Sequence, residues 1–108
     1  MGGPALPERD LAVLRSFARR IDPSDAVAHN NLANALARLG RAREAVAHYQ
    51  QASALDPAYV EPLVNLGTVQ LGLGDRDAAR QAWQTALRLA PKNTIALSRL
   101  QSLGTEAH

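Results

Sequence analysis

The chain has 108 residues, no cysteine and a formal net charge of only +2. The missing thiols exclude a disulfide framework and a thiolate metal site and fit a reducing compartment. No stretch approaches the roughly 20 apolar residues that span a bilayer, and a candidate basic patch of Arg15, Arg19 and Arg20 has Glu8, Asp10 and Asp22 close by, so neither a membrane nor a nucleic acid is expected as a partner.

Residues 1–6, with two glycines and a proline, read as a flexible N-terminus. Pro7 is a good first helical residue, and a flanking helix is predicted over 7–22 with Leu11, Leu14, Phe17 or Ala18, and Ile21 on one face. Pro23 ends it by disfavouring the helical conformation at Asp22. Ser24 or Asp25 can cap the next helix, which runs to about Leu39, where Gly40 supplies a left-handed C-terminal cap. A further helix follows from about Arg43 to Leu55, with Ala45 and Ala52 two turns apart on one stripe where a partner helix can approach closely. Asp56-Pro57 punctuates the chain, and the plan repeats: a helix over about 60–72, Gly74 as stop, Asp75 as cap and a helix over about 76–89. After Pro91 a last helix is predicted from Thr94 or Ile95, with Ile95, Leu97, Leu100 and Leu103 as its apolar set. Gly104 is expected to close it, leaving 105–108 as tail.

The two middle segments are copies. Laying 26–59 on 60–93 gives nine identities: Asn31/Asn65, Leu32/Leu66, Leu39/Leu73, Gly40/Gly74, Ala45/Ala79, Gln50/Gln84, Ala52/Ala86, Leu55/Leu89 and Pro57/Pro91. Tyr49 over Trp83 adds an aromatic match, and Pro23, Pro57 and Pro91 are spaced by 34 residues throughout. A fixed period of this length marks a repeat array. With Leu32/Leu66, Ala33/Gly67, Ala45/Ala79, Tyr49/Trp83, Ala52/Ala86 and Pro57/Pro91 at their set positions, the chain resembles the tetratricopeptide repeat family. It departs at His29, where a large apolar or aromatic residue is usual, and at Gln70. The resemblance implies an all-α, right-handed superhelical array of antiparallel helix pairs, about six helices in all. Repeat 1 would span 26–59 and repeat 2 would span 60–93, with a C-terminal capping helix over 94–104.

In that family the first helix of each repeat lines a concave groove. Carried over, repeat 1 offers Val27, Asn30, Asn31, Asn34, Ala37 and Arg38. Repeat 2 offers Glu61, Val64, Asn65, Thr68, Leu71 and Gly72, and the last helix offers Ile95, Ser98, Arg99 and Ser102. Three asparagines between 30 and 34 cost helix propensity, yet an amide donates and accepts at once, as an extended peptide backbone requires. Asn31 and Asn65 are expected to stack one repeat apart, similar to the asparagine ladder of the O-linked N-acetylglucosamine transferase repeats. Asn34, Asn65 and Arg99 match the family's carboxylate clamp, but Asn30 and Ile95 stand where its lysines belong, and the charge-assisted bonds those lysines make to a terminal carboxylate are lost.

No catalytic constellation is legible. His29, His48 and His108 have no metal-ligand spacing, and Gly72-Leu73-Gly74-Asp75 lacks the later glycine and lysine of a phosphate loop. No cofactor is expected. The sequence reads as a cytoplasmic, non-catalytic interaction module for a protein or peptide partner. The alternative is a structural unit that self-associates through open end helices, forming dimers or stacks.

Overall fold

The structure, a computed structural model, describes residues 24–106. The predicted flanking helix over 7–22 lies outside them. The described residues form α1 (Ala26–Arg38), α2 (Ala42–Leu55), α3 (Val60–Gly72), α4 (Arg76–Leu89) and α5 (Thr94–Glu106), with no strand among them.

Local chemistry sets most of the boundaries. Asp25, Asp75 and Asn93 each accept a backbone N–H three residues on, from Ala28 at 3.2 Å, Ala78 at 3.1 Å and Ala96 at 2.9 Å. Each therefore satisfies one of the donors a helix start leaves unpaired. At the other end of α1 and α3, Gly40 and Gly74 adopt φ of +79° and +88°. That conformation lets Arg41 N–H reach back to the Leu36 carbonyl and Asp75 N–H to the Gln70 carbonyl, each at 2.9 Å, and the paired bonds close both helices in the same way. Gly104 behaves differently from the expectation. It is not among the glycines with positive φ, and α5 runs through it to Glu106. A glycine inside a helix costs only about 1 kcal/mol relative to alanine, so its identity alone stops nothing.

The helices pack in sequence, α1 on α2, α2 on α3, α3 on α4 and α4 on α5, and α1 also touches α3. Ala45, Ala52, Ala79 and Ala86 are fully buried, giving the close approach expected of small residues on a helix stripe. Two apolar clusters result. One joins Leu32, Ala33, Leu36, Ala45 and Tyr49 to Leu66 and Ala82; the other gathers Leu63, Val64, Ala79, Trp83 and Ala86 with Ala96 and Leu103 of α5. The large ring in each is matched by a small residue on the facing helix. A β-carbon at Gly67 would lie 2.3 Å from Trp83 Nε1, so glycine is what admits the indole. In the first pair Ala33 stands at the corresponding position beside the smaller Tyr49. Arg76 ties α5 to α4 by donating to the Leu103 carbonyl at 3.1 Å.

Candidate functional site

The first helices of the pairs, α1 and α3, are joined by side-chain amides. Asn65 Nδ2 on α3 donates to Asn34 Oδ1 on α1 at 3.2 Å and, at 3.4 Å, to Asn30 Oδ1. Tyr49 reaches across from α2 and donates its hydroxyl to the same Asn34 oxygen. Asn30 Nδ2 in turn donates to the hydroxyl of Tyr59, in the turn before α3, at 3.3 Å. The result is a chain of polar contacts, Tyr59, Asn30, Asn65, Asn34, Tyr49, that crosses three helices and a turn. Buried polar groups linked in this way hold one another's orientation.

Burial is the largest effect on both phenols and raises their pKa values. Arg38 opposes it at Tyr49. At Tyr59 the negative charge of Glu61 adds to burial, the hydrogen bond from Asn30 works against it, and Asp25 and Asp56 contribute further upward push. One end of the network is therefore set among carboxylates and the other lies by an arginine. The same charges suit the helix dipoles, with Asp25 and Glu61 at helix starts and Arg38 in the last turn of α1.

The residues expected to line a groove fall into two groups. Val27, Asn31, Arg38, Thr68 and Arg99 are exposed and Asn34 and Asn65 are half-buried. Asn30 and Val64, by contrast, are only 2% and 6% exposed, so they form the floor beneath the surface and not the surface itself. Thr68 spends its hydroxyl proton on the Val64 carbonyl one turn back, at 3.2 Å, and that carbonyl also accepts Trp83 Nε1–H at 3.1 Å. Asn31 does not stack with Asn65 through a hydrogen bond; the partners of Asn65 are Asn30 and Asn34. Tyr59 was not legible as a site residue, because it lies in a turn outside the helical periodicity. Among the described residues no group of three or more histidine, cysteine, aspartate or glutamate side chains could hold a metal ion, and no helix is long and apolar enough to cross a membrane.

Comparison with known proteins decides the family. Residues 34–74 match the family model described as TPR repeat, and residues 60–93 match the one described as tetratricopeptide repeat. The chain belongs to the tetratricopeptide repeat family. Among curated relatives, this tetratricopeptide chain is 38% identical over 82 residues to the mouse DnaJ homolog subfamily C member 7. It is 33% identical over 78 residues to the wheat (Triticum aestivum) Hsp70-Hsp90 organizing protein. The matches take in 74% and 72% of this chain but only 17% and 13% of those relatives, so it spans a small part of their length. Among solved structures, the second tetratricopeptide domain of human RPAP3, in complex with the HSP70 peptide SGPTIEEVD, superposes with a TM-score of 0.81 at 28% identity, covering 89% of this chain and 82% of that one. MamA superposes with a TM-score of 0.85 at 21% identity over 92% of this chain and 59% of its own, which establishes the common fold.

Proposed function

We propose that this array is a non-catalytic peptide-binding module whose ligand lies extended across α1, α3 and α5. The observation that carries the reading is the Asn34–Asn65 pair, held by Tyr49 between two adjacent first helices, with Asn31, Arg38 and Arg99 exposed on α1 and α5. Amides fixed in this way meet the donors and acceptors of a peptide backbone at about 0.5–1.5 kcal/mol net each. Val27 and Ile95, 52% and 53% exposed, supply apolar contact at the two ends. The peptide complex of the RPAP3 domain supports the class of ligand. Asn30 and Ile95 occupy the clamp's lysine positions, so an acidic terminus is held here by Arg99 and Arg38 alone and binding is roughly micromolar.

Titration calorimetry with SGPTIEEVD and with the same peptide amidated at its C-terminus tests this. Micromolar binding is expected, weakened tenfold or more by Arg99→Ala and by Asn65→Ala in a chain that still folds. Binding unaffected by both substitutions, or none at all to either peptide, overturns the proposal.

A further inference from the structure

His29 of α1 and His48 of α2 meet across the first helix pair with their Nδ1 atoms 3.0 Å apart. Their ring centroids are 5.2 Å apart and the planes are inclined by 23°. That centroid separation is close to the nitrogen–nitrogen distance plus one ring radius at each end. Both nitrogens therefore lie near the line joining the ring centres, and the rings meet edge to edge in nearly one plane. This is the geometry of an N–H···N bond: one ring carries its proton on Nδ1, and the other accepts through a bare Nδ1. His29 is 6% exposed and takes the place that Leu63 fills in the second pair, so a polar bond replaces an apolar contact there.

Such a pair tolerates one added proton but not two. The first goes to the outer nitrogen of the donor ring and strengthens its Nδ1–H as a donor. The second has only the acceptor's Nδ1 left, where it sets N–H against N–H and places two positive charges side by side. We propose that His29 and His48 form a proton-operated latch between α1 and α2, closed in the neutral and singly charged states and opened by the second protonation.

The surroundings favour such a device. Burial, and next the charge of His29, depress the pKa of His48 below its ordinary 6.5, while Glu44 one turn earlier on α2 and a hydrogen bond that His48 donates to Gln51 pull the other way. The pull of Glu44 is shared, because both its oxygens are taken by Arg41. On α3, packed against both helices, Glu61 acts on Tyr59. A depressed folded pKa means that the unfolded chain binds the proton more readily. The latch's contribution to stability is therefore complete above about pH 6.5 and is lost as pH falls below it through the folded value.

The test is nitrogen-15 NMR of the imidazoles of the whole chain from pH 8 to pH 5, with amide hydrogen exchange at each end of the range. A step assigned to His48 is expected below pH 6.5, and amide exchange in α1 and α2 rises with that step while α4 and α5 hold. Two independent titrations near 6.5, or amides of α1 and α2 that ignore the lower step, overturn the proposal. His29→Phe provides the control and should flatten the fall of melting temperature below pH 6.5; a full acid-side loss in that variant also overturns it.

Discussion

Asn34 Oδ1 takes two hydrogen bonds, from Tyr49 and Asn65, and so does one task for the fold and another for the surface. Removing it would loosen α2 as well as α3, whereas Asn31, exposed on the same helix, bears on the surface alone. Gln70 shows the opposite situation. It occupies the position of Leu36, which is 3% exposed, and its Oε1 is buried without a hydrogen-bond partner. An orphaned acceptor of this kind costs about 1–3 kcal/mol, and replacing it by an apolar group of similar shape recovers part of that. Gln70→Leu is therefore expected to raise stability by about 1 kcal/mol in urea unfolding, with an unchanged denaturant slope. A loss of stability would show that the amide is satisfied in solution.

Between helices, the discriminating fit is aromatic ring against small residue. Gly67→Ala puts a β-carbon 2.3 Å from the Trp83 indole, and overpacking of this kind costs about 1–3 kcal/mol. Gly72→Ala, with nothing within 4 Å of its new carbon, is expected to hold or slightly raise stability, because alanine is the better helix former. In a double-mutant cycle, Trp83→Tyr should recover much of the Gly67→Ala loss, with a coupling of about 1 kcal/mol; strict additivity would mean the helices part to admit the methyl group. The helix plan itself was legible, because the 34-residue spacing carries turn glycines and alanine stripes, and Asp25 and Asp75 each cap one helix, all local chemistry that acts without knowledge of the partner helix. What periodicity could not carry was depth. It assigns Asn30 and Val64 to the groove-facing side, but Asn65 of α3 and Tyr59 close over Asn30, Val64 joins the apolar cluster that α4 and α5 complete, and the His29–His48 contact arises from antiparallel pairing that their spacing in the chain does not announce.

At the scale of the whole molecule, the end formed by α5 bears on self-association. Leu97 is 39% exposed at the position where Leu63 and His29 are covered by the second helix of their pairs, which leaves apolar surface that a second copy could cover. Gln101, however, stands where Ala33 and Gly67 make room for a ring in the pairs. A helix settling on α5 as α4 settles on α3 meets that longer side chain. Sedimentation equilibrium is expected to give the monomer mass from dilute to concentrated solution, and a mass that climbs with concentration would favour the self-associating reading.

The match of Tyr49 with Ala33 and of Trp83 with Gly67 also determines which pieces of the array are interchangeable. Grafting α4 behind α1 would press an indole on a methyl group, and grafting α2 behind α3 would leave a hollow over Gly67. Whole pairs can be copied into a longer array, but mixed halves cannot, so recombination within this chain is confined to breakpoints between pairs.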